Sequence, residues 1–95
     1  MMVTNAVITA YCACTICCGP HATGITASGK APIQGVTIAA SRNIPLGTKV
    51  AIGGHTYIVQ DRLAKRYDKR FDIYFNSHKA ALQFGKQKHT VILTK

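Results

Sequence analysis

Six short runs of β-branched and aromatic residues, each closed by turn-forming residues, dominate this chain and leave room for little else. They are Val-Ile-Thr-Ala-Tyr (7–11), Val-Thr-Ile-Ala-Ala (36–40), Lys-Val-Ala-Ile (49–52), Thr-Tyr-Ile-Val (56–59), Phe-Asp-Ile-Tyr-Phe (71–75) and Thr-Val-Ile-Leu (90–93). Such runs pack well on a pleated surface and poorly in a helix, so each predicts a strand. Six strands in 95 residues predict a mainly β domain closed into a small barrel. Gly53-Gly54 between the third and fourth runs suits a two-residue hairpin with positive φ at both positions. Pro45-Leu46-Gly47-Thr48 predicts a tight turn into the third. One short helix is expected after the fifth run. Asn76 or Ser77 can cap it, Ala80, Ala81, Leu82 and Phe84 give it an apolar side, and Gly85 ends it. Its His78 is expected on the surface of the first turn.

A chain of this length forms one domain, residues 1–95, and buries roughly 60–65% of its unfolded surface around one core. No apolar stretch reaches the roughly eighteen residues of a membrane span, and no basic region followed by a long apolar one opens the sequence. The sequence as it stands therefore carries no export signal, and the route to an extracellular target is left open.

Acidic residues are confined to Asp61, Asp68 and Asp72, and Glu is absent, so any carboxyl chemistry comes from twelve consecutive residues. Asp61 ends the apolar run Tyr-Ile-Val-Gln, and Asp72 lies inside the fifth predicted strand. A carboxyl among aromatic and β-branched neighbours is harder to ionise, which is the condition a general acid needs. Structural pairing is the competing reading, since Arg62 and Arg70 stand beside them. Asp68 lies in a polar, charged connection and reads as a solvated loop charge.

Twelve Lys and Arg against three Asp give a net charge of +9, which points to an anionic partner. The basic residues are spread from Lys30 to Lys95, and the aromatics sit in apolar runs rather than among the charges. That distribution argues against nucleic acid and for an anionic cell-wall polymer or surface.

All four cysteines, Cys12, Cys14, Cys17 and Cys18, fall within seven residues. Thiolate ligation of zinc, disulfides and buried thiols remain open. The spacing C-x-C-x2-C-C matches no common zinc arrangement, so no metal ligand set is assigned. His21, His55, His78 and His89 offer bases for a nucleophilic cysteine, but nothing in the sequence pairs one of them with a cysteine.

Taken in order, Ile8-Thr9-Ala10-Tyr11-Cys12, Cys17-Cys18-Gly19, Gly24-Ile25-Thr26-Ala27-Ser28-Gly29, Val36 to Ala40, Ile44-Pro45-Leu46-Gly47-Thr48, Val59-Gln60-Asp61-Arg62 and Phe71-Asp72-Ile73-Tyr74-Phe75 carry a resemblance. From about residue 6 to residue 93 the chain resembles the three-aspartate (3D) domain family. The resemblance implies a six-stranded double-psi β-barrel related to barwin and expansins. Family members include the catalytic domain of the MltA type of lytic transglycosylase and stationary-phase and resuscitation-linked proteins, which act on peptidoglycan glycan strands at the cell wall.

The resemblance also implies a mechanism that needs one carboxyl group and no cofactor. That group protonates the glycosidic oxygen and then, as a base, helps the muramic acid 6-hydroxyl close a 1,6-anhydro ring. Asp72 matches the catalytic aspartate and Asp61 the second, orienting one. Thr26 and Ser28 match a cleft-lining loop whose hydroxyls bind sugar or acetamido groups. The chain departs from the pattern at Ser41, where the family carries its first aspartate. Losing that carboxyl relieves like-charge repulsion on Asp72 and changes its hydrogen bonds. A non-catalytic module that binds or loosens wall polysaccharide is the alternative.

Overall fold

The computed structural model describes residues 2–12, 28–29, 31–41, 43–63 and 70–94. The strands are β1 (Met2–Tyr11), β2 (Thr37–Ala40), β3 (Lys49–Ile52), β4 (His55–Arg62), β5 (Arg70–Tyr74) and β6 (Gln87–Thr94), with helix α1 (His78–Phe84) between the last two. They close a barrel in the order β1-β5-β2-β4-β3-β6. The protein is thus a mainly β, closed six-stranded barrel with one short helix among the described residues, and all six predicted runs lie within or overlap its strands.

The neighbours β1/β5 and β2/β4 are parallel, and the remaining pairs are antiparallel. Exchanging β1 with β4, β2 with β5 and β3 with β6 reproduces the same ring read in reverse, with every parallel pair falling on a parallel pair. The two halves of the chain are therefore related by an internal two-fold passing between β2 and β5. That arrangement is compatible with a double-psi connectivity.

The turns follow from their residues. Ile52 pairs with His55 across Gly53 (φ 57°) and Gly54 (φ 83°), the doubly positive geometry that glycine adopts without a side-chain clash. Thr48 donates its N–H to Pro45 O at 3.3 Å across Gly47 (φ 93°), a type II turn. Ser77 caps α1 by accepting the Ala80 N–H on Oγ at 3.0 Å, and Gly85 (φ 68°) ends it. The helix packs chiefly on β1, and Phe84 meets Phe75 with ring centroids 5.6 Å apart. No described helix is long and apolar enough to cross a membrane.

Alternation along the strands fills the barrel. Ile8, Ile38, Val50, Val59 and Val91 have no exposed surface, and Phe71 and Ile73 join them from β5. Ile38 pairs with Ile73 on one side and Val59 on the other, so β2 runs between the two strands that carry the described aspartates.

Candidate functional site

Asp72 stands between Phe71 and Ile73, both in the core, and so projects from the opposite face of β5. It pairs with Thr9 on β1 and with Ala39 on β2. Ala39 pairs in turn with Asp61 on β4. The four residues form one row across four strands, Asp61–Ala39–Asp72–Thr9. The internal two-fold passes between its two middle members.

Strict alternation would put Asp61 on the same face as Val59, in the core. A bulge prevents this: Ile38 pairs with Val59, but the next residue of β2, Ala39, pairs with Asp61, leaving Gln60 as the extra residue. A bulge re-aims the side chains that follow it. Gln60 is fixed through Oε1, which accepts from Thr37 Oγ1 at 2.6 Å, and through its carbonyl, which accepts the Ser28 N–H at 2.9 Å. Thr37 Oγ1 also accepts the Ile33 N–H at 2.9 Å. The bulge thus moves the second aspartate to the face of the first and ties Ser28 to the residue beside it.

The two carboxyl groups differ in environment. Asp61 accepts the Tyr11 hydroxyl on Oδ2 at 3.2 Å and the Arg62 N–H on Oδ1 at 2.9 Å, which fixes its plane. Tyr11 is itself held edge-to-face against Tyr74, ring centroids 5.5 Å apart. The Arg62 guanidinium donates to the carbonyl oxygens of Ser41 and Ile44, pinning the chain after β2. Asp72 is half-buried, and burial raises its pKa above the ordinary carboxyl value. The Arg70 charge, two residues away on the same strand face, opposes that shift, and the Asp61 charge reinforces it. One carboxyl is thus fixed as a hydrogen-bond acceptor, and the other is biased toward keeping its proton.

Ser41 is 5% exposed and follows Ala39 by two positions, directly after β2. Its Oγ accepts the Asn43 N–H at 3.2 Å, a local turn that an aspartate side chain forms equally well. Ser41→Asp should therefore fold and place a third carboxyl near the pair. Like charges held close disfavour joint ionisation, so the apparent pKa of the acid should rise and the alkaline limb of any activity profile should move to higher pH. An unchanged pH profile would show that Ser41 does not communicate with Asp72.

Of the residues expected at the site, Asp61, Asp72, Ser28 and Ser41 lie on or beside one row. Thr26, Asp68, His21, Cys14, Cys17 and Cys18 lie outside the described residues. Tyr11 and Arg70 emerge as additional members. The strand period placed Tyr11 on the face of Thr9, but its contact with Asp61 spans fifty positions and has no local signal. His78 differs from expectation: it is half-buried, with Nδ1 3.6 Å from the Sγ of Cys12. Its helix packs on β1, which turns the first residue of the helix toward the end of that strand.

No protein-family model and no curated protein matches this chain.

Proposed function

We propose that this domain is a peptidoglycan lytic transglycosylase that cleaves the bond between N-acetylmuramic acid and N-acetylglucosamine and leaves 1,6-anhydromuramic acid ends. The observation that carries the reading is the unequal pair on one strand row: Asp72 half-buried with a raised pKa, and Asp61 held by hydrogen bonds on both oxygens.

In this mechanism Asp72 enters protonated and donates its proton to the glycosidic oxygen as the C1–O bond breaks. The C1 centre gains oxocarbenium character. The resulting Asp72 carboxylate, stabilised by Arg70, then takes the proton of the muramic acid 6-hydroxyl as O6 bonds to C1. The carboxyl is regenerated, and no water is consumed. A hydrolase would need a second carboxyl to act as nucleophile or to activate water. Asp61, with both oxygens engaged, is better suited to orienting substrate and holding Tyr11. Ser28 and Thr26, on the loop tied at Gln60, supply hydroxyls for sugar or acetamido groups. The reading also places the protein at the cell wall. Its direct test is release of soluble muropeptides from purified sacculi, with activity falling as pH rises past the raised pKa of Asp72. A folded, sacculus-bound protein that releases nothing at any pH would rule out the enzyme.

The second reading, a wall-binding module without cleavage, is favoured by Ser41, whose hydroxyl serves a turn where the family pattern has a carboxyl. Both readings share the anionic partner implied by the charge of +9. Exposed charges are screened over about 10 Å at 0.1 M salt, so affinity for sacculi should fall roughly tenfold or more between about 0.05 and 0.5 M salt. Co-sedimentation measures this. Binding that is flat across the range would mean that shape, not charge, carries the affinity.

A further inference from the structure

The parallel strands β1 and β5 end together: Tyr11 pairs with Tyr74, and the Phe75 N–H donates to Tyr11 O at 2.8 Å. The chain after each strand therefore leaves from the same end of the barrel. From β1 comes Cys12, 2% exposed. From β5 comes a short connection, fixed by the Asn76 N–H on Gln34 Oε1 at 2.7 Å and by the Ser77 cap, which delivers His78 as the first residue of α1. Cys12 Sγ and His78 Nδ1 meet at 3.6 Å, from positions sixty-six residues apart.

We infer that Cys12 and His78 are two ligands of a structural zinc site, separate from the aspartate row. Zinc binds thiolate sulfur at about 2.3 Å and imidazole nitrogen at about 2.0–2.1 Å, so tetrahedral angles put the two donors about 3.6 Å apart. The observed separation equals that bite. Binding converts the Cys12 thiol to a thiolate, releasing its proton to solvent, and takes the Nδ1 lone pair of a neutral His78. Among the described residues no group of three His, Cys, Asp or Glu is gathered, so this pair supplies half of a four-donor set. The sequence carries three more thiols two, five and six positions after Cys12, outside the described residues. The unusual spacing of the cysteines ceases to count against zinc once one ligand is a histidine from a distant helix. Metal ligation there would clamp the ends of β1 and β5, the two strands that carry Tyr11 and Asp72.

The test uses the full chain, purified under reducing conditions and exchanged into metal-free buffer, with zinc and cobalt(II) as the probes. Elemental analysis should find about one tightly held zinc ion per chain, and a strong chelator, but not a reductant, should lower Tm. Cobalt(II) in place of zinc should give a thiolate-to-metal charge-transfer band that Cys12→Ser diminishes. Loss of a neighbour that only supports a ligand costs about 10–100-fold in metal affinity, so His78→Ala, which removes a ligand, should cost more than about 100-fold. That variant leaves the Ser77 cap and the barrel core intact, and it keeps the test decisive if Cys12→Ser does not fold. A folded wild-type chain that binds neither zinc nor cobalt, or a His78→Ala variant that binds zinc as tightly as wild type, overturns the site. The 3.6 Å contact would then be a thiol–imidazole hydrogen bond.

Discussion

Asp72→Asn is expected to leave a folded barrel and to reduce glycan cleavage by more than the ~10²–10⁴ typical of one acid–base group, because the same carboxyl serves both proton transfers. Asn is close in size to Asp and keeps the β5 backbone pairing with Thr9 and Ala39, so the row itself should survive. Folding supplies an independent readout with the sign fixed in advance. Because the folded pKa of Asp72 is raised, its contribution to stability is fully present below the unfolded value of about 3.9 and is lost as pH rises through the folded value. Asn has no proton to lose. The variant should therefore lose less stability than wild type as pH rises through that window, while cleaving far less. A folded Asp72→Asn variant that cleaves at nearly the wild-type rate removes Asp72 from the mechanism.

The second large effect is structural. Ile38 has no exposed surface, and its neighbours across β2 are Val59 on the aspartate-bearing β4 and Ile73 on the aspartate-bearing β5. Truncating such a residue to Ala costs about 2–5 kcal/mol through lost transfer energy and the cavity left behind. A domain of this size has a total stability of about 5–15 kcal/mol, so Ile38→Ala should lower Tm by roughly 10 °C or more. Ile92, 37% exposed on β6, is the control, and its truncation to Ala should cost far less. Equal losses at the two positions would mean that the barrel interior is not the main source of stability.

What was legible in the sequence follows from the physics of its signals. Strand runs and glycine turns are local, and the Gly53-Gly54 hairpin, the turn at Gly47 and the Ser77 cap stand where residue chemistry put them. The apolar setting of Asp72 was equally local, and the structure gives the same direction for its pKa. Asp61 is a different case. Counting from Val59 by twos buries it, and only the bulge at Gln60, held by Thr37 from another strand, brings it out. No rule of sequence spacing contains that bond. The Tyr11–Asp61 and Cys12–His78 contacts were hidden for the same reason, since each depends on which strands the barrel makes neighbours. His78 also shows the limit of reading a helix alone: a capped first turn looks solvent-facing until the strand end beneath it is known.

The central claim, one-carboxyl cleavage with ring closure and no water, is tested most directly by the masses of the products released from purified peptidoglycan. Ring closure retains the muramic acid oxygen O6 at C1, so the products should lack one water relative to hydrolysed muropeptides and should show no incorporation from ¹⁸O-labelled solvent. Hydrated, ¹⁸O-labelled muropeptides would contradict the account and give Asp61 or another group the role of activating water. Intact sacculi with the protein bound to them would leave the barrel as a wall-binding module.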